Sequence, residues 1–311
     1  MNQQRPAHAL TPAAATVLAA LALLLLGALL AQPAGSTPRG TPYQDLPAFR
    51  VWAAAAAASM IVSVAFAVAL WRIDPAWRGP DRGWRRWIPS LLYAALVVLT
   101  YLAERALLAL DLTPALPAPV SVRLLVVYVV GALAAAPAVL GLWAVYGRLR
   151  ELNQELAGPS AAVSPAAVMS LLLHAGRQAQ RYLIGLTVIV SMKVLTTGVL
   201  QKALLAAGYP DDQLPSIWLL LHGLLLAAWV LAVYLPFYLT WHACVTRFME
   251  ASYPPPQTGL PTKDWVDDRK VLEKVLHGNA TLKQNLTAAF GILAPFGGSL
   301  LGLAIPQLKG G

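Results

Sequence analysis

The chain has few charged residues and a single cysteine, and each shortage excludes a class of protein. Only 12% of its 311 residues are Asp, Glu, Lys or Arg, whereas soluble domains usually carry about a quarter. With 58% of its residues hydrophobic, a soluble fold could not cover its own surface, so most of the solvent must be lipid. The one cysteine, Cys244, excludes internal disulfides and cysteine-based metal clusters.

The sequence also lacks the motifs of common catalytic and cofactor sites. It contains no H-E-x-x-H, no histidine pair at i and i+4, and no P-loop. Its acids are few and scattered, so no nucleophile can be paired with a base. We therefore expect no catalytic residues, no metal and no cofactor. The net charge of +9 is the kind that orientation signals beside membrane helices produce, and we expect no nucleic-acid partner.

Long apolar runs are abundant instead. About 20 apolar residues are needed to cross the hydrocarbon core as a helix. The first run is favoured as a retained helix over a cleaved signal peptide, because residues 32–36 lack a clean A-x-A site. Six runs are predicted to span the membrane: 13–32, 51–71, 87–110, 120–146, 183–207 and 216–242.

A seventh apolar segment, residues 286–306, is interrupted by Pro295, Gly297 and Gly298. It could span, re-enter or lie buried against the bundle, since irregular backbone at membrane depth must be shielded by protein or face water. The predicted fold class is an all-α integral membrane protein with six transmembrane helices and this seventh segment, either spanning or re-entrant.

The basic residues are distributed unevenly between the loops and predict the orientation. Sixteen of the 23 lysines and arginines fall in one alternating set of loops and only two, Arg39 and Arg50, in the other. The positive-inside rule places the N-terminus and the basic, tryptophan-rich loop 72–87 in the cytoplasm. We therefore expect a multi-pass protein of the cell membrane, of the bacterial inner-membrane type.

The same pattern divides the chain into five regions. Residues 148–182 form a predicted cytoplasmic helical hairpin that extends spans four and five, with Ser164-Pro165 as the expected start of its second arm. A linker precedes an amphipathic helix at about 264–277, which Gly278 would end. The regions are 1–147 with four spans, 148–182, 183–242 with two spans, the cytoplasmic region 243–285, and the segment 286–311.

Lys193 lies near the middle of span five and is the foremost candidate for a pore or gating residue. A lysine there costs about 2.5–3.5 kcal/mol on insertion scales. The alternative is an ion-paired or snorkelling lysine, but by helical rise Glu104 in span three matches the depth of Lys202 better. A Glu104–Lys202 pair is therefore predicted. Pro236, in span six, would kink its helix as a static bend or a hinge.

A stripe of small residues on the seventh segment is a candidate for helix packing or an oligomer face. Ala294, Gly298 and Gly302 are spaced by four, and the two glycines match G-x-x-x-G. The same stripe could instead line a pore.

The leading functional hypothesis is a non-enzymatic membrane protein that forms or gates an ion or small-solute permeation path. We expect the lipid bilayer and further copies of the chain as partners. The alternative is a membrane sensor or scaffold that binds a cytoplasmic protein at 148–182 or 264–278. A secondary transporter is a weaker third hypothesis, because no repeat is visible.

Overall fold

The computed structural model describes residues 36–72, 88–109, 116, 118–157, 164–210, 214, 216–254 and 261–277. These residues are almost entirely helical and contain no strand; the only extended pairing among them is an isolated bridge between Ser36 and Pro42. The first and seventh apolar runs, 13–32 and 286–306, lie outside the described residues. A short 3-10 helix (Tyr43–Asp45) precedes α1 (Pro47–Arg72), α2 (Ile88–Ala109), α3 (Ala118–Glu155), α4 (Pro165–Ala206), α5 (Ser216–Ser252) and α6 (Lys263–His277).

Helices α1 to α5 are each long and apolar enough to cross a membrane. They correspond to the second to sixth predicted spans, and they confirm that the chain is a helical, multi-pass membrane protein. The amphipathic helix expected at 264–277 is α6, which begins one residue earlier.

Three of these helices are much longer than a bilayer requires. α3 has 38 residues, α4 has 42 and α5 has 37, which at 1.5 Å per residue gives about 57, 63 and 55 Å. The hydrocarbon core is about 30 Å thick. α4 begins at Pro165, where the ring's fixed φ suits the first helical position, and it continues without a break through Gly176 to Ala206.

The contacts divide the chain into two compact units, and the long helices contribute to both. Unit 1 includes α1, α2 and the helical stretches 118–138, 185–206 and 216–229. Unit 2 includes the stretches 139–155, 165–184 and 230–252 together with α6.

The core of unit 1 is built from aromatic and branched side chains on α1, α3, α4 and α5. At one end, Phe49 and Trp52 pack edge to face beside Tyr43, against Leu200 and Trp218. A second cluster continues the contact between α1 and α3 with Ala56, Met60, Val127 and Val130. Burying such side chains contributes about 1.5–3 kcal/mol each when the reference is water, and close packing holds these helices together inside lipid.

Side chains that donate to backbone carbonyls join the helices of unit 2. The Trp241 indole donates to the Leu172 carbonyl over 3.4 Å, and the buried Cys244 thiol donates to the Leu149 carbonyl over 3.2 Å. Arg247 reaches a carbonyl on α3 over 2.7 Å. Each bond connects α5 to the start of α4 or the end of α3, so these stretches form one helical assembly.

α4 ends in a Schellman motif that depends on Gly208. This glycine has φ of 92°, the Gly208 amide bonds to the Leu205 carbonyl, and the Tyr209 amide bonds to the Leu204 carbonyl. Tyr209 follows the membrane-spanning stretch and shares a 2.7 Å hydrogen bond with the Tyr43 hydroxyl. Burial, reinforced by that bond, raises the pKa of Tyr209 above its ordinary value.

Candidate functional site

Lys193 is buried within unit 1, on the part of α4 that would cross the membrane. Only 4% of its surface is exposed. Its Nζ donates to the Ser59 hydroxyl on α1 over 3.3 Å, and Ser59 itself accepts through its backbone carbonyl from Ser63 over 2.6 Å. Among the described residues, no carboxylate lies within salt-bridge distance of Lys193. The lysine is therefore neither ion-paired within that part of the chain nor extended to an exposed position.

A glycine on α3 makes the room that Lys193 occupies. A Cβ atom on Gly131 would overlap the Cε atom of Lys193 and crowd its Nζ and Cδ atoms. A helix in the middle of a membrane protein gains little from glycine except close approach. Gly131 therefore allows the lysine stem to pass directly against the α3 backbone.

A second polar group lies in the same unit and connects four helical residues by hydrogen bonds. Glu104 Oε1 on α2 is 3.1 Å from Nδ1 of His222 on α5. His222 Nε2 is 3.0 Å from the Tyr128 hydroxyl on α3, and that hydroxyl is 3.2 Å from Oγ1 of Thr197 on α4. Thr197 also donates to the Lys193 carbonyl over 3.0 Å. The chain of contacts thus runs from Glu104 to the backbone of Lys193.

The four hydrogen bonds that lead from Glu104 to the Lys193 carbonyl can form together only if the side chains carry enough protons. Tyr128 and Thr197 have one hydroxyl proton each. If His222 Nε2 is protonated, it donates to Tyr128, Tyr128 donates to Thr197, and Thr197 donates to the Lys193 carbonyl. If Nε2 is bare, Tyr128 must donate to it, and the Thr197 proton can serve only one of its two partners. All four bonds therefore form together only when the Glu104–His222 pair holds one proton more than an ionised Glu104 and a neutral His222 would hold. With that proton the pair has no net charge.

Lys193 and two members of the second polar group, Glu104 and Tyr128, line one cavity of about 510 Å³ within unit 1, a volume in the range of small-molecule sites. With Tyr101 they supply its charged and phenolic groups, and most of the remaining wall is apolar. Apolar side chains from α2 to α5 line it, among them Val97, Val98, Leu124, Val129, Ile189 and Trp229.

The wall that α2 and α3 contribute to this cavity is open to the surroundings. Only 6% of the spanning stretch of α2 is buried, against 56% for α3. Val98 on α2 and Val129 on α3 line the cavity and are nevertheless 54% and 49% exposed. The Tyr93 hydroxyl, which donates to the Ala132 carbonyl, fixes α2 to α3 near this opening. Among the described residues, the cavity is therefore open on its α2–α3 side.

The structure brings together only some of the residues predicted from the sequence. Lys193 and Glu104 line the same cavity, but Glu104 contacts His222 and not Lys202, which is exposed. The expected Glu104–Lys202 pair is wrong for this reason. Pro236 lies within α5 in unit 2 and is exposed. Ala294, Gly298 and Gly302 lie outside the described residues.

Sequence reasoning missed His222 and Tyr128. A lone histidine or tyrosine in an apolar helix carries no motif, and the partners of each lie more than 60 residues away along the chain. One signal was available, because a polar residue inside a membrane helix needs a partner at its own depth. Within the described part of the chain, no group of three or more His, Cys, Asp or Glu side chains could hold a metal ion.

No protein-family model, no curated protein and no solved structure matches this chain.

Proposed function

We propose that the chain is a non-enzymatic membrane protein that binds a small solute in the unit 1 cavity and forms or gates its permeation path. The observation that carries the proposal is a buried lysine, Lys193, that lines the same 510 Å³ cavity as Glu104 and Tyr128, which His222 connects. Ionisable groups inside a membrane are costly, and they usually serve a substrate path or a proton relay. A serine hydroxyl alone is a weak compensation for a buried ammonium.

The proposal includes a topology and an assembly. The basic loops favour a cytoplasmic N-terminus, and the apolar runs at 13–32 and 286–306 would raise the number of spans to six or seven. We propose a homo-oligomer in which Ala294, Gly298 and Gly302 form a contact face. Pro236 has no backbone amide proton, so one helical hydrogen bond is missing there. We propose that α5 bends at this residue during gating.

The test of this function is solute flux in proteoliposomes that contain the full chain. Lys193→Met should reduce flux of the transported solute, because it removes the buried charge and keeps a flexible apolar stem. Lys202→Met is the matched control, since it changes an exposed lysine on the same helix and should leave flux unchanged. The proposal would be overturned if the unmodified protein gave no flux of anions, cations or neutral amphiphiles. It would also be overturned if Lys193→Met and Lys202→Met lost flux equally.

A second candidate function is a sensor or scaffold that binds a cytoplasmic protein. Two observations favour it. α3 and α4 are long enough to project well beyond the bilayer, as the proposed hairpin at 148–182 requires. On α6, Val271 is 64% exposed and Val275 41% exposed, whereas Leu276 on the same helix is buried.

Deleting residues 152–181 tests this alternative. The scaffold function predicts that the deletion abolishes co-purification of a cytoplasmic partner while the remaining chain still inserts into the membrane. If α6 contributes to the interface, a Val271→Glu variant should weaken binding of the same partner. Retention of the partner by both variants would exclude this function.

A further inference from the structure

Lys193 has more hydrogen-bond donors than partners. An ammonium has three donors, and among the described residues the only acceptor at hydrogen-bond distance is the Ser59 hydroxyl, at 3.3 Å. The side chain is 96% buried yet lines the cavity. A buried lysine with unused donors that lines a cavity can bind an anionic group of a ligand, which would supply the acceptors it lacks and favour its charged form.

The charges around the cavity support the same conclusion. α1 has no ionisable residue between 51 and 71. Glu104 contacts His222 and is not within salt-bridge distance of Lys193. Besides Glu104 and Lys193, the unit 1 stretches of α2 to α5 carry three charged side chains: Arg105, which is exposed and donates to Tyr101, the half-buried Arg123, and the exposed Lys202. Lys193 is thus a basic side chain without a paired acid among the described residues.

The walls define the rest of the ligand. The cavity is lined mainly by Val, Leu, Ile and Ala side chains, and its α2–α3 side is open where the helices would meet acyl chains. A hydrophilic anion would have to leave water to enter by this route, which is unfavourable. An amphiphile already resident in the bilayer meets no such barrier.

We infer that the cavity binds a single-chain anionic amphiphile, which enters from the bilayer between α2 and α3, places its acid group at Lys193 and extends its alkyl chain along Val98 and Val129. The inference rests on the proposed function in taking the cavity as the solute site. The α2–α3 wall provides apolar surface for the alkyl chain, while Lys193 provides the donors for the acid group.

The experiment is photo-crosslinking of the full chain in nanodiscs with an alkyl sulfonate that carries a diazirine near the end of its chain. A sulfonate remains anionic at every pH used. Mass spectrometry should locate labels on α2 and α3 at the cavity wall. Excess octanesulfonate should prevent labelling, whereas octylammonium, octyl glucoside and ethanesulfonate should not. Labelling that octylammonium or octyl glucoside prevents equally would overturn the inference, because the site would then not select an acid group.

The variants separate the charge from the fold. Lys193→Met should weaken octanesulfonate competition about 10- to 100-fold, the range for losing a buried charged hydrogen bond, and Lys202→Met should not. Val98→Trp should block the opening, whereas Leu99→Trp changes a neighbour that is at least as exposed and does not line the cavity. Equal labelling in Val98→Trp and Leu99→Trp, when both variants are monodisperse and thermally stable, would contradict entry between α2 and α3.

Two further outcomes separate this inference from the proposed function. Site-specific labelling without flux would leave the binding site established and remove the permeation path. Flux without labelling would keep the permeation path and overturn the amphiphile site. If anionic phospholipid in the nanodisc abolishes labelling, the occupant is a two-chain lipid and the single-chain inference is wrong.

Discussion

Gly131 and Lys193 form a contact in which the smallest residue accommodates one of the longest. Gly131→Ala would place a methyl group on the lysine stem, and we expect it to lower the free energy of unfolding by about 1–3 kcal/mol, as overpacking usually does. Gly147→Ala is the control, because the same helix has open space there. That variant should be neutral or stabilising by up to about 1 kcal/mol. Unfolding in mixed micelles measures both.

A double variant tests whether the lysine stem causes the loss of stability in Gly131→Ala. In a Lys193→Ala background the stem is absent, so Gly131→Ala should cost no more than Gly147→Ala. This coupling is the non-additivity expected of residues in contact. A Gly131→Ala penalty that persists without the lysine would mean that the clash is not its origin.

The sequence alone identified Lys193, because a charge within an apolar run is visible locally. It could not identify the surroundings of Lys193, since Ser59 lies 134 residues away. Depth matching by helical rise predicted the wrong partner for Glu104: it considered lysines and overlooked the neutral or protonated His222. Depth alone does not specify which faces of two helices meet, and side-chain packing decides that.

At the scale of elements, the end of α4 offers a direct test of how its cap is built. Gly208 and Gly40 both have positive φ, a conformation that costs a residue with a Cβ about 1–2 kcal/mol. At Gly208 a Cβ would also meet the Arg39 side chain at 2.5 Å, whereas nothing lies within 4 Å at Gly40. Gly208→Ala should therefore lower the thermal stability more than Gly40→Ala. Equal losses would mean that Arg39 moves aside freely and contributes little to the cap.

Hydropathy predicted α1 to α5 well because membrane insertion depends on local composition, and every one of these apolar runs is a helix in the structure. It underestimated how far α5 extends, since the predicted span ends at residue 242 and the helix ends at Ser252. The extensions of α3 and α4, through RLRELNQE and PAAVMSLLLHAGRQAQRY, agree with the helical arms predicted for 148–182. Tertiary contacts stabilise these extended stretches. The bonds from Trp241 and Cys244 to carbonyls on neighbouring helices are of this kind, and no window of sequence contains both partners.

At the scale of the whole molecule, the distribution of basic residues predicts an orientation that single cysteines can test. In a Cys244→Ala background, Gln44→Cys before α1 and Glu155→Cys at the end of α3 are both exposed positions. The positive-inside rule places Gln44 outside and Glu155 inside the cell. A membrane-impermeant maleimide should label Gln44→Cys in intact cells and Glu155→Cys only after permeabilisation. The opposite pattern would invert the topology.

The same labelling decides how many times the chain crosses the membrane. If the apolar segment 286–306 spans, Lys309→Cys will react from outside in intact cells, because the region before it is predicted to be cytoplasmic. If the segment re-enters, Lys309→Cys will react only after permeabilisation, like Glu155→Cys. We expect the first outcome, since the run is uncharged and about 20 residues long, enough to cross the hydrocarbon core. Protection of Lys309→Cys in intact cells, with Gln44→Cys labelled in the same experiment, would contradict a seventh span.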